Sequence, residues 1–209
     1  MNSVRVGHRN ERVLIQSVEF TIRFDQYCLR AMLQTARATA LKCLLLALAL
    51  VSPPLWAKHV PDPAFKTLDG QTRKLSALHG QIVVVNFWAT WCGPCQEELP
   101  RLKQIAASYA GRPVSFVYIS IDEPRNRSKI PTTLARLHVD FDSWVGADTD
   151  TLGRFSLGDI VPGTLVLDEN GEPVVRIMGE AREDDVRTPV DWLLGGKTGP
   201  PPPPMTKRY

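Results

Sequence analysis

The run Ile82-Val-Val-Val-Asn-Phe-Trp88 constrains this chain more than any other feature. It is nearly continuous in β-branched and aromatic side chains and lacks the alternation of a strand with one wet face. Such a run belongs to a strand buried on both faces, so other elements must cover both sides of its sheet. A short turn at Ala89–Trp91 follows, then Cys92-Gly93-Pro94-Cys95. From Pro94 to Tyr109 the apolar residues Leu99, Leu102, Ile105 and Ala106 recur at helical spacing. Strand, turn and helix therefore place a pair of cysteines outside the carboxyl end of a buried strand, where α/β proteins commonly carry their chemistry.

The remaining pattern extends this unit. Ala64–Leu68 and Thr72–Leu75 flank Asp69-Gly70, a hairpin signal. Val114–Ile121 reads as a second buried strand, and Thr132–His138 as a helix with Pro131 at its start. Thr149–Phe155 forms a further short helix. Leu165–Leu167 and Val174–Met178 are strands joined across Asn170-Gly171, and Glu183–Leu194 closes with a helix. A parallel crossover followed by an antiparallel pair gives an α/β fold with a mixed central β-sheet flanked by helices.

The ends of the chain have a different character. Cys43–Val51 is an unbroken apolar stretch of nine residues, too short to span a bilayer, which takes about 20. It has the proportions of a signal-peptide core, with Arg37 and Lys42 before it and a cleavage site after Ala57. The leader is well proportioned when counted from Met32, so residues 32–57 read as a signal peptide and residues 1–31 as an upstream mistranslated or disordered extension. The alternative is an uncleaved anchor. Gly195-Gly196 and the prolines Pro200–Pro204 read as a disordered tail over 196–209, which leaves 58–195 as the folded domain. The whole chain carries 25 basic and 22 acidic residues. Of these, 7 basic and 3 acidic precede Lys58, so the domain is near neutral and no nucleic-acid partner is expected. Cys28 and Cys43 also lie in those first 57 residues, and the domain keeps only Cys92 and Cys95.

Two cysteines three apart in a first helical turn lie on one face, within reach of a disulfide. Cys92 at the helix N-terminus meets unpaired backbone N–H groups and the positive end of the helix dipole, which favour a thiolate. That makes it the attacking nucleophile, with Cys95 as the resolving thiol. As a staple the pair is poor: closing so short a loop contributes about 2 kcal/mol in the entropic model, against ~3 for fifteen residues. A zinc site lacks further ligands at suitable spacing, and Gln96 stands where haem attachment requires histidine. No metal or cofactor is called for.

The segment Asn86-Phe-Trp-Ala-Thr-Trp-Cys-Gly-Pro-Cys95, followed by Gln-Glu-Glu98-Leu-Pro100, resembles the TlpA/ResA-like thiol–disulfide oxidoreductases of the thioredoxin superfamily. The resemblance runs from about Phe65 to Leu194. It implies a thioredoxin fold with an N-terminal β-hairpin and a crossover insertion before a cis-proline, together with thiol–disulfide exchange outside the cytoplasm. Thioredoxins proper carry a buried aspartate where Asn86 stands, and an amide cannot take a proton from the resolving thiol. In the TlpA/ResA-like branch a glutamate at the position of Glu98 is implicated instead. Pro100 is expected to kink the helix. Of two candidate cis-prolines, Pro131 precedes a helical pattern, whereas Pro162 precedes a strand and hairpin, so Pro162 is favoured. Trp91, Gly93, Pro94, Val161 and Pro162 then form the substrate-binding surface around Cys92, although Gly163 replaces the family's usual threonine.

The leading expectation is a periplasmic enzyme that reduces disulfides of extracytoplasmic proteins, with cytochrome c maturation as one setting. It would draw electrons from a membrane donor and touch the membrane only through an uncleaved leader anchored in the inner membrane. A disulfide donor of the same fold, or a non-catalytic adaptor of chaperone type, are the alternatives.

Overall fold

The computed structural model describes residues 60–208. The extension 1–31, the leader 32–57 with its cleavage site, Cys28 and Cys43 lie outside the described residues.

An eight-stranded mixed sheet organises the domain, in the order β2-β1-β5-β4-β3-β6-β7-β8. The buried run is β3 (Ile82–Trp88), with all seven residues inaccessible. It pairs in parallel with β4 (Val114–Ser120) and antiparallel with β6 (Gly163–Leu167). Burying each Val or Phe of this strand contributes about 1.5–3 kcal/mol, which fixes β3 at the centre of the sheet. Between β3 and β4 runs α1 (Gly93–Ser108), the crossover helix, which continues through Pro100. The apolar positions read from the sequence, Leu99, Leu102 and Ile105, are buried against the sheet. The antiparallel pair β6–β7 (Pro173–Gly179) turns at Gly171, and α4 (Glu183–Leu194) packs beside α1 on the same face. On the opposite face Phe87 meets Phe155, 5.3 Å between ring centroids, just after α3 (Thr149–Arg154).

The hairpin before β3 is shorter than its sequence pattern. Only β1 (Phe65–Lys66) and β2 (Thr72–Arg73) pair, and Leu75 enters a 3-10 turn instead. The next helix, α2 (Ile130–Arg136), opens two residues earlier than Thr132 because Pro131 suits a first helical turn. A strand absent from the sequence reading, β5 (Ser143–Val145), pairs in parallel with β4 and antiparallel with β1.

The larger correction is at the C-terminus. Residues 196–209 were expected to be a disordered tail, yet Met205–Arg208 forms β8, paired in parallel along β7. The polyproline stretch is the return limb of a crossover over α4 rather than a free end. Several polar contacts tether it. The Lys197 ammonium bonds Asp168 and Glu169, at 3.0 and 3.1 Å. The Arg176 N–H donates to the Pro204 carbonyl at 3.0 Å, and the Arg208 guanidinium grips Asp185 at 2.7 and 3.1 Å. Gly179 is what lets the strand approach: a Cβ there would stand 2.6 Å from the Arg208 carbonyl oxygen, and its φ of +93° already favours glycine.

Candidate active site

The site is built where β3 ends and α1 begins. Cys92 is the N-cap of α1, with extended backbone, and the Cys95 N–H points at its sulfur at 3.2 Å. Pro94 occupies the first turn, where its missing N–H costs nothing. Cys92 and Cys95 are joined as a disulfide, and both are almost fully buried. The turn that carries them is held by Asp122, a fully buried carboxylate just beyond β4. It accepts from the Thr90 N–H at 2.9 Å, from the Thr90 hydroxyl at 2.7 Å and from the Ser120 hydroxyl at 2.8 Å. Gln96 closes the turn from the other side by donating to the Thr90 carbonyl at 2.6 Å. Asp122 was missed by the sequence reading. Its signal was an acidic residue directly after a buried parallel strand, at the end of the sheet that carries the cysteines.

Facing Cys92 is the Val161–Pro162 peptide, which is cis, whereas Pro131 lies in the first turn of α2. The Val161 carbonyl oxygen is 3.6 Å from the Cys92 sulfur. Trp91 is 63% exposed and Ile160 44%, two large apolar side chains in water beside a buried disulfide. Trp88 behaves oppositely: it is fully buried and donates its indole N–H to the Ser143 hydroxyl at 3.1 Å.

Below the disulfide lies a buried polar cluster. Glu98, one helical turn beyond Cys95, is fully buried, not solvated like its neighbour Glu97. Its Oε1 accepts from the Asn86 amide at 3.3 Å and the Thr164 hydroxyl at 3.4 Å, while Asn86 also donates to Thr164 at 3.0 Å. These residues meet because Asn86 on β3 is in register with Tyr118 on β4 and Thr164 on β6. The sheet thus presents three polar side chains in one row beneath α1. Burial pushes the Glu98 carboxyl up to about 8, although the Arg101 charge and the Ala181 backbone N–H pull the other way. The Tyr118 hydroxyl is likewise raised, by burial and then by the nearby Glu98 charge. Glu98 Oε2, Asn86 Oδ1 and the Tyr118 hydroxyl have no hydrogen-bond partner among the described residues. A carboxyl with this affinity for a proton matches a thiol, whose ordinary value is about 8.5, closely enough to exchange one with it.

The structure therefore brings Trp91, Cys92, Gly93, Pro94, Cys95, Glu98, Val161 and Pro162 to one end of the sheet. Tyr118, Asp122 and Thr164 join them from strands far away in sequence.

Comparison with known proteins shows the family. The AhpC/TSA family model matches residues 57–175. The chain is 26% identical over 129 residues to the thiol-disulfide oxidoreductase ResA of Bacillus cereus, covering 62% of this chain and 73% of that protein. It is 28% identical over 126 residues to ResA of Geobacillus kaustophilus, covering 60% and 71%. Among solved structures, a thiol:disulfide interchange protein of the thioredoxin family from Chlorobium tepidum superposes with a TM-score of 0.54 at 27% identity, covering 65% of this chain and 95% of that one. The chain belongs to the AhpC/TSA family of thioredoxin-like proteins, among which it resembles the ResA thiol-disulfide oxidoreductases.

Proposed function

We propose that this protein is a thiol–disulfide oxidoreductase that reduces disulfides of partner proteins in the periplasm. The observation that carries this reading is the Cys92–Cys95 disulfide at the N-terminus of α1, with a buried, proton-holding Glu98 one turn below it. In the reduced protein the Cys92 thiolate, facing the Cys95 N–H, attacks one sulfur of a target disulfide. A Cys92–target bond forms, the target S–S bond breaks, and the second target sulfur leaves as a thiolate that takes a proton from water. Glu98 acts in its ionised fraction, which grows as pH rises towards about 8: it takes the Cys95 proton, and the Cys95 thiolate attacks the Cys92 sulfur. The Cys92–Cys95 bond forms, and the target leaves carrying both electrons.

A membrane donor re-reduces the dithiol, because the compartment is oxidising. Cytochrome c maturation is one setting in which such a reductant acts. Gly93-Pro94 between the cysteines, as in reducing thioredoxins, favours this direction over disulfide donation. Among the described residues no helix is long and apolar enough to cross a membrane.

A Cys95→Ala variant expressed in its native cell tests the reading. Exchange stalls after the first step, so partner proteins should accumulate as mixed disulfides through Cys92 and appear as adducts on non-reducing gels. Absence of any thiol-reversible adduct, with no reduction of insulin by the parent protein, would replace exchange with the adaptor reading.

A further inference from the structure

The end of the sheet that carries Pro162 also carries an open pocket of about 500 Å³ lined by Arg101, Glu180, Arg182, Lys207 and Arg208. Four of these five side chains are cations. Arg101 is tied to Glu180 at 2.6 Å and Arg208 to Asp185 at 2.7 Å. Arg182 and Lys207 are exposed and form no salt bridge among the described residues. Arg101 Nε is buried with no hydrogen-bond partner among the described residues. The four lining cations face two carboxylates, Glu180 in the lining and Asp185, which holds Arg208 and also lies in the field of Arg182, so cations outnumber carboxylates around the pocket.

Its position gives those charges a use. The Gly179 N–H donates to the Pro162 carbonyl at 2.9 Å, and Gly179 is in register with Arg208 on β8. Glu180 and Arg182 follow Gly179 in the chain. Glu180, which lines the pocket, directly follows the residue hydrogen-bonded to Pro162, and Pro162 follows the Val161 carbonyl that faces the Cys92 sulfur. A polypeptide laid along Val161 to present its cysteine to Cys92 would carry one flank towards this end of the sheet. Lys207 and Arg208 come from β8, which lies beyond the residues 57–175 matched by the family model. The feature is thus a property of this chain's C-terminal strand.

We propose that β8 builds a recognition pocket for acidic side chains flanking the cysteine of the substrate polypeptide. This rests on the exchange reading above and narrows it to substrates with Asp or Glu beside the reactive disulfide. Charge complementarity of this kind steers encounter and selects partners more than it adds raw affinity.

The probe is a pair of fluorescent peptides with serine in place of cysteine and one common extended core. One carries Asp and Glu on both flanks, the other Asn and Gln. Anisotropy titrations against the oxidised protein at low ionic strength should show the acidic peptide binding about fivefold more tightly. That preference should vanish in the Arg182→Gln/Lys207→Gln double variant and reverse in Arg182→Glu/Lys207→Glu. Equal affinities, or a preference that survives in both variants, would overturn the pocket. A disulfide-bonded form of the neutral peptide, mixed with reduced protein, reads the exchange reaction separately. Acidic preference without reduction removes the exchange reading alone, and reduction without acidic preference removes the pocket alone.

Discussion

Replacing Cys92 by serine should lower the rate of insulin disulfide reduction by at least about 1,000-fold while leaving the fold intact. The nucleophile in a covalent mechanism has no substitute, and losses of this size or larger follow its removal. Cys95 cannot take over, because it is 1% exposed and lies one turn inside α1, beneath Cys92. Stability should fall only slightly, since the bridge closes a loop of four residues. The measurement is initial rates of insulin reduction in dithiothreitol, alongside urea unfolding of both proteins. Rates within tenfold of each other would remove Cys92 as the attacking group.

The second large effect concerns Glu98. In the folded protein its carboxyl is pushed from the ordinary 4.5 to about 8 by burial, so the folded state holds a proton that the unfolded chain releases. The stabilising contribution of this neutral carboxyl is complete below about pH 4.5 and is lost steadily as pH rises to about 8. The gap corresponds to a loss of up to about 5 kcal/mol. Glu98→Gln keeps the shape and removes the ionisation. The variant should therefore gain on the parent protein as pH rises, with the difference levelling off above pH 8. Urea unfolding of the oxidised proteins at pH 5 and pH 9 reads it. The same variant should slow release of the mixed disulfide by about 100-fold, because Cys95 loses its proton acceptor. It should also flatten the pH dependence of that step near 8. Parallel stability curves together with unchanged release would return Glu98 to a structural role.

The sequence announced these two residues with different clarity. Cys92 and Cys95 stood out because a buried strand, a tight turn and a helix start coincide around them, all local features. Glu98 was legible as a position on α1, but not its surroundings. Thr164 and Tyr118 reach it only through sheet register, which no local pattern of their own strands reveals.

The same distinction explains the strands that were missed. Ser143–Val145 is three residues long, too short for any period to register, and exists because β4 offers an open edge. Met205-Thr-Lys-Arg208 has no apolar periodicity and follows five prolines that ordinarily signal a solvated end. Its place is set by β7, by a glycine without a Cβ to obstruct it, and by one carboxylate on α4 that holds Arg208. Composition marks those prolines as extended chain, but it could not see the edge to which they lead.

The proposed function requires that Cys92 and Cys95 form a dithiol poised to give electrons away. Equilibrating the protein with graded dithiothreitol or glutathione buffers and quantifying the free thiols yields its reduction potential directly. A reductant of this kind should show a value near the roughly −270 mV of thioredoxins. A value near the roughly −120 mV of strong oxidants would contradict it and make the protein a disulfide donor.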